Sequence, residues 1–280
     1  MSNNEKTRLV PYPSGAFVPE RDVNDIPVLE TRHLGIDFGG LTAVDDFSLA
    51  IGRTEIAGLI GPNGAGKTTV FNLLTNVYRP TRGNIMLNGY STDGKTTAQV
   101  SRMGIARTFQ NIRLFSNMSV LDNVKVGMHN HTRESFAASI THGFGYRKTE
   151  RAADKRALEL LDFFSLADMA DTQAGGLPYG AQRRLEIVRA LASSPRIILL
   201  DEPAAGMNPS ETAELMENIR RIRDTFQIAI MLIEHDMSLV MGICEGICVL
   251  NYGKIIAKGT PDEIKANPTV IEAYLGKKGE

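Results

Sequence analysis

The chain has 280 residues, 42% apolar and 22% charged, enough apolar content to bury a core and to exclude wholesale disorder. Lys and Arg number 31 against 32 Asp and Glu, a net charge of −1, which argues against a nucleic-acid-binding domain with its basic excess. The longest run free of Asp, Glu, Lys and Arg is the twelve residues Ser135–Tyr146, short of the roughly 18 apolar residues that span a bilayer. The amino-terminal MSNNEKTRLVPYP has no apolar stretch of signal-peptide type, so a chain made and kept in the cytosol is expected.

In chain order, residues 1–27 hold four of the twelve prolines, show no apolar periodicity and read as a tail. Val28–Arg32 and Val44–Ile51 read as strands, the second with Phe47, Leu49 and Ile51 on one face. Gly52-Arg53 reads as a hairpin turn. Ile56–Ile60 is continuously apolar, the pattern of a strand buried on both faces. A Gly-rich loop and a helix from about Lys67 to Val77 follow, then short strands at Ile85–Leu87 and Ile105–Thr108. From about Met118 to Ala174 the texture is helical, clearest at Thr149–Phe164, where Ala153, Ala157, Leu160, Leu161 and Phe164 line one face. Arg183–Ala192, Ser210–Phe226 and Asp236–Ile243 read as helices. Ile197–Leu200 and Ile228–Ile233 read as buried strands, and Ile247–Leu250 and Lys254–Ala257 as a hairpin through Asn251-Tyr252-Gly253. This alternation predicts an α/β core with a largely parallel sheet and an inserted helical subdomain. Cys244 and Cys248 are the only cysteines. They lie in an apolar stretch and read as buried free thiols.

Gly61-Pro62-Asn63-Gly64-Ala65-Gly66-Lys67-Thr68 fits G-x-x-x-x-G-K-[ST], directly follows a buried strand and opens a helix. The glycines permit backbone dihedrals closed to other residues, so successive N–H groups can wrap an anion. The helix N-terminus adds partial positive charge, Lys67 a full charge for the β- and γ-phosphates, and Thr68 a hydroxyl for Mg²⁺. By itself the loop means a nucleoside triphosphate and leaves kinase, GTPase, motor and transporter subunit open.

Asp201 and Glu202 end a buried strand, where ligands of a parallel sheet gather. A strand can end in Asp only because a turn begins; beside a phosphate loop, Asp201 becomes a Mg²⁺ carboxylate and Glu202 a base for the attacking water. His235, in Glu234-His235-Asp236 at another strand exit, can donate to a γ-phosphate. Gln110 follows the Ile105–Thr108 strand, and its neutral oxygen can ligate Mg²⁺ or water weakly. His33, His129, His131 and His142 read as solvated or packing residues.

This ordered set resembles the ATP-binding subunit of an ATP-binding-cassette (ABC) transporter over nearly everything from Val28 to Gly276: Phe38, the phosphate loop (Walker A), Gln110, a helical insert, Leu177-Pro-Tyr-Gly180-Ala-Gln-Arg-Arg, Asp201-Glu202, Ala205-Gly-Met-Asn208 and His235. More narrowly it resembles the longer of the two ATPase subunits of branched-chain amino acid importers. The residues that carry this are Gly104-Ile-Ala-Arg-Thr-Phe-Gln-Asn111, the Tyr-Gly form of the signature, Glu202-Pro-Ala-Ala-Gly-Met-Asn-Pro209, Glu234-His-Asp-Met237, and Gly259-Thr-Pro with Ala273-Tyr-Leu-Gly276. The signature departs from the superfamily's Leu-Ser-Gly-Gly-Gln at Pro178, Tyr179 and Ala181, and Asn208 stands where an Asp is usual.

The resemblance implies a P-loop NTPase core with an antiparallel β region near the N-terminus. The ABC ATPase domain would span 28–276, with a helical subdomain at about 111–192 and a short tail at 277–280. It implies ATP hydrolysis with ATP and Mg²⁺, with Phe38 on adenine and Gly61, Pro62, Asn63, Gly64, Ala65, Gly66, Lys67, Thr68 and Thr69 around the phosphates. Thr68, Gln110 and Asp201 would serve the metal; Glu202, His235, Gln110 and Lys67 would serve catalysis; Tyr179 and Gly180 would act in trans. The implied partners are a second ABC ATPase subunit, identical or not, two integral-membrane permease subunits and, indirectly, an extracytoplasmic binding protein, with no nucleic acid. The place would be the cytoplasmic face of the inner membrane, peripherally. A soluble ABC ATPase uncoupled from transport, or an importer ATPase for urea, amides or other amino acids, are the alternatives.

Overall fold

The structure, a computed structural model, describes residues 27–128 and 144–275. The proline-rich tail before Pro27 and the histidines His129, His131 and His142 lie outside the described residues. Two compact units result, one of residues up to Arg107 with those from Arg196 onward, the other Thr108–Pro195.

In the first unit, β1 (Leu29–Phe38) and β2 (Leu41–Ile51) pair antiparallel, so both outrun the strands read from the sequence. Gly52-Arg53 is not a hairpin turn. It carries the chain to β3 (Ile56–Ile60), which lies in a different sheet, and Glu55 Oε2 accepts the Gly52 N–H at 2.6 Å to hold the corner. The physical reason is burial. All five residues of β3 are buried, and such a strand takes parallel partners on both edges instead of folding back on its predecessor.

Helix α1 (Lys67–Leu74) stops before the expected Val77. Thr75 returns its hydroxyl to the Phe71 carbonyl at 2.8 Å, and Asn76 turns left-handed with φ 53°. Strands β4 (Arg82–Leu87) and β5 (Tyr90–Ser91) complete a four-stranded antiparallel sheet of order β2-β1-β4-β5. Helix α2 (Thr97–Arg102) opens with a Thr96–Gln99 capping box and leads to β6 (Ile105–Arg107).

The second unit is helical. Helix α3 (Val120–Met128) and helix α4 (Phe144–Phe163) are joined by Lys125, whose ammonium lies 2.6 Å from Asp154. Ala157, Leu160, Leu161 and Phe164 are buried, as the stripe predicts, and Ala153 only half so. Helix α5 (Tyr179–Ala192) begins a turn earlier than Arg183. Pro178 sits at its N-cap with φ −56° and ψ 151°, and its carbonyl accepts the Gln182 N–H at 3.0 Å. A proline already has the φ a helix start needs and no N–H to leave unpaired.

Back in the first unit come β7 (Ile197–Asp201), α6 (Pro209–Phe226), β8 (Ala229–Ile233), α7 (Met237–Ile243), β9 (Gly246–Asn251), β10 (Lys254–Gly259), α8 (Pro261–Ala266) and α9 (Pro268–Leu275). The second sheet has the order β10-β9-β3-β8-β7-β6, parallel except for β10. Strand β3 is thus central, and the carboxyl ends of β3, β7 and β8 open on the same edge. Helix α7 packs so closely on β3 that a Cβ on Gly58 would lie 3.1 Å from Cys244 Sγ. Cys244 and Cys248 are buried free thiols, as read from the sequence. No helix among the described residues is long and apolar enough to cross a membrane.

Candidate nucleotide site

The loop after β3 takes its shape from the backbone around it. Gly61 has φ 151°, and a Cβ there would collide with the Leu250 carbonyl oxygen of β9. The β9–β10 turn is strapped onto the loop, because the Gly253 N–H donates to the Ala65 carbonyl at 2.9 Å and the Gly253 carbonyl accepts the Asp45 N–H of β2 at 2.9 Å. Gly66 is the N-cap of α1 and no side chain caps that helix, so its first-turn N–H groups and dipole face the loop. A glycine-rich loop closed against the N-terminus of a helix is the arrangement that binds phosphate groups.

Lys67 is buried, and its ammonium donates to the Gly61 carbonyl at 2.7 Å and the Pro62 carbonyl at 2.9 Å. Burial pushes its pKa down, and the negative charges of Glu202 and Asp201 push it back up. Both acids at the β7 exit therefore act on the loop lysine. Thr68 is exposed and Thr69 half-buried at the start of α1.

Asp201, at the end of β7, is buried and does not stand alone. Arg107, the last residue of β6, brings its guanidinium to 2.7 Å from Asp201 Oδ2 and to 2.7 Å from Asn72 Oδ1 of α1, with its charge 5.5 Å from the Phe71 ring centre. Arg107 ties together the two elements that carry Thr68 and Asp201. Sequence reading passed over it, since an Arg at a strand end looks like a solvated residue and only β6–β7 pairing reveals its partner. The oxygen donors Thr68 and Asp201 suit Mg²⁺, which keeps waters and phosphate oxygens and needs few protein ligands. Among the described residues no group of three or more His, Cys, Asp and Glu could form an all-protein metal cage.

Glu202 follows directly on Asp201, just beyond the end of β7. It holds φ 48°, and its N–H donates to the Ile233 carbonyl of β8 at 2.9 Å. A left-handed non-glycine residue costs on the order of 1 kcal/mol and is held only by its surroundings. Its Oε1 lies 3.0 Å from His235 Nε2 beyond β8, so a ring protonated at Nε2 donates to the carboxylate. Glu234, beside it, is buried. Its Oε1 accepts the Ala204 N–H at 2.7 Å and its Oε2 the His235 N–H at 3.0 Å. Burial raises its pKa, and the N–H groups of Ala204, His235 and Asp236 oppose that.

Asn208 is the N-cap of α6, its Oδ1 accepting the Ser210 and Glu211 N–H groups at 2.9 and 3.0 Å. Asn caps as well as Asp, which accounts for the substitution locally. Phe38 ends β1 with 43% of its surface exposed, edge-on to Tyr78 with ring centres 5.3 Å apart; Tyr78 was not singled out from sequence.

Gln110, Tyr179 and Gly180 belong to the other unit. There, Arg183 of α5 donates to the Phe109 carbonyl at 2.8 Å and to the Gln110 carbonyl, and pairs with Glu186 at 3.3 Å. Glu186 accepts the Phe109 and Arg113 N–H groups, each at 3.4 Å. Burial raises the Glu186 pKa and Arg183 opposes it. The helix that begins at Tyr179 thus holds the segment bearing Gln110, a link no sequence motif announces.

A parallel sheet with an anion cradle after its central strand and acids at the neighbouring exit defines a phosphate-loop nucleotide-binding ATPase. The family model of the ABC transporter matches residues 44–205, more than half the chain, and that of the branched-chain amino acid ATP-binding cassette transporter matches residues 254–280. The chain is 46% identical over 251 residues to the high-affinity branched-chain amino acid transport ATP-binding protein BraF of Pseudomonas aeruginosa, covering 90% of this chain and 98% of the relative. It is 47% identical over 251 residues to LivG of Escherichia coli K12, described in the same words, with the same coverage. The solved ADP conformation of MJ1267, an ATP-binding cassette of an ABC transporter, superimposes with a TM-score of 0.78 at 29% identity, covering 90% of this chain and 100% of that one. The chain belongs to the ABC transporter family of ATP-binding proteins and is an ABC ATPase.

Proposed function

We propose that this ATPase drives import of branched-chain or related amino acids, working as one of two ATPase subunits on two membrane permeases at the cytoplasmic face of the inner membrane. An extracytoplasmic binding protein would deliver the substrate. Import and its substrate class rest on the likeness to BraF and LivG and on the carboxyl-terminal match.

The observation that carries the catalytic reading is the Glu202 carboxylate 3.0 Å from His235 Nε2, at the exits of neighbouring strands beside the phosphate loop. The residues of 61–69 bind the triphosphate through backbone N–H groups, with Lys67 turning its ammonium from loop carbonyls to the β- and γ-phosphates. Phe38 stacks on adenine. Glu202 takes the proton of the attacking water, and His235, beside that carboxylate, turns its Nε2–H to the γ-phosphate once nucleotide is bound. Thr68 and Asp201 would hold Mg²⁺, which supplies charge neutralisation on the phosphates. Tyr179 and Gly180 at the start of α5 present backbone N–H groups to the nucleotide of the opposite subunit. Nucleotide held from both sides closes the dimer, and hydrolysis lets it open.

Glu202→Gln should retain ATP binding, lose about 10²–10⁴-fold in turnover and trap an ATP-dependent dimer by size-exclusion chromatography; near-normal phosphate release would remove Glu202 from this role. Lys67→Ala should weaken ATP binding, and unchanged affinity would refute the loop assignment. Uptake of labelled leucine by vesicles carrying the assembled transporter tests the substrate.

A further inference from the structure

We propose that Glu234 is a positioning residue for hydrolysis: its two carboxylate oxygens clamp the turns after β7 and β8 together, and so hold Glu202 and His235 in register. The inference rests on the roles given to those two residues above. Three observations carry it.

First, the clamp joins two chain segments. Oε1 accepts from Ala204, two residues beyond Glu202, and Oε2 from His235 itself, at 2.7 and 3.0 Å. A carboxylate that is only 4% exposed and satisfied by backbone N–H groups on both sides fixes the distance between those segments.

Second, the segment it braces cannot hold itself. Glu202 sits at φ 48°, a conformation its own side chain disfavours. The turn closes through the Ala205 N–H to the Glu202 carbonyl at 3.2 Å and the Glu202 N–H to the Ile233 carbonyl at 2.9 Å. Glu234 adds the next contact, at Ala204. Two successive residues thus anchor the turn, Ile233 through its main-chain carbonyl and Glu234 through its side chain.

Third, two carboxyl oxygens suit this place better than an amide. Both oxygens face N–H donors, and an ionised carboxylate, which is acceptor-only, satisfies both although burial raises the group's pKa. An amide of the same shape would turn an NH₂ toward one of the two N–H groups and release that side of the clamp.

The test compares Glu234→Gln, Glu234→Asp, Glu202→Gln and His235→Ala in the full chain within the assembled transporter. It reads phosphate release at saturating ATP, binding of a fluorescent ATP analogue, and thermal denaturation. Glu234→Gln should lower kcat by about 10- to 100-fold, the cost of misplacing a catalytic group by a fraction of an ångström to an ångström, with nucleotide affinity unchanged within about twofold. Glu234→Asp keeps two acceptor oxygens and should retain more of kcat than Glu234→Gln. Adding Glu234→Gln to His235→Ala should cost less than it does alone, because only Glu202 is left for the clamp to align.

A Glu234→Gln enzyme within twofold of the parent in kcat overturns the proposal, as does full additivity with His235→Ala. Affinity and thermal stability falling together with kcat would assign Glu234 to folding alone and overturn it too. If Glu202→Gln and His235→Ala themselves leave turnover intact, the catalytic reading fails first, which separates the two failures.

Discussion

The phosphate loop and the turns beyond β7 and β8 serve one site but are specified differently. The loop is a continuous stretch whose glycines and lysine are written in order, and its anion-binding groups are backbone N–H groups that any such sequence supplies. The two turns are separated by more than thirty residues in the chain, and neither is complete without the other: Glu202 takes its conformation from Ile233 and its orientation from His235, while Glu234 reaches back to Ala204. One half of the site is a local motif, the other a tertiary assembly. Catalysis by positioned groups falls in the second kind, since alignment across elements is what it requires.

That contrast can be broken at the loop. Gly61→Ala places a Cβ against the Leu250 carbonyl oxygen at φ 151°, so nucleotide binding should be lost altogether, measured by equilibrium dialysis. Intact binding would mean the loop is less constrained by β9 than its packing indicates. At the turns, His235→Ala should cut kcat by about 10²- to 10³-fold, in the range of a positioned hydrogen-bond donor, with ATP affinity preserved in the same titration. A matching loss of affinity would merge the two regions into one binding determinant.

Gly64→Ala sharpens the comparison within the loop. Its φ is 78°, but a Cβ there meets nothing within 4 Å, so only the backbone preference of about 1–2 kcal/mol is at stake. Affinity should fall by no more than about thirtyfold, far less than for Gly61→Ala. The smallest effect is expected at the thiols. Cys248 has its pKa pushed up to about 12 by burial and Cys244 higher still, burial again leading. Neither should react with maleimide at neutral pH until the chain is unfolded, and rapid labelling of the native protein would contradict the packing of α7 on β3.

Much of the architecture was legible because burial writes itself into composition. β3, β7 and β8 are runs of aliphatic residues that can only be strands covered on both faces, and each was found within a residue or two. The errors fall where the deciding contact is distant. Gly52-Arg53 has the composition of a hairpin turn, yet β2 and β3 belong to different sheets because β3 pairs with β8 and β9. Helix α5 extends back to Tyr179 because Pro178 starts it, a position at which polar periodicity is silent. Arg107, Glu186 and Glu234 carry ordinary surface residue types. Each is distinguished only by burial against a partner far along the chain, Asp201, the Phe109–Arg113 segment and Ala204 respectively.

By itself the sequence determined which groups are available: a glycine-rich cradle with its lysine, two acids and a histidine at strand exits, and the aliphatic runs that make the sheet. These follow from near-neighbour chemistry, from what a residue's own side chain allows and how it partitions from water. Only the tertiary structure decided that Glu202 meets His235, that Arg107 holds Asp201 and that Glu234 binds two turns into one. Those relations are distances between strands brought side by side by burial, and no local feature of the chain encodes a distance.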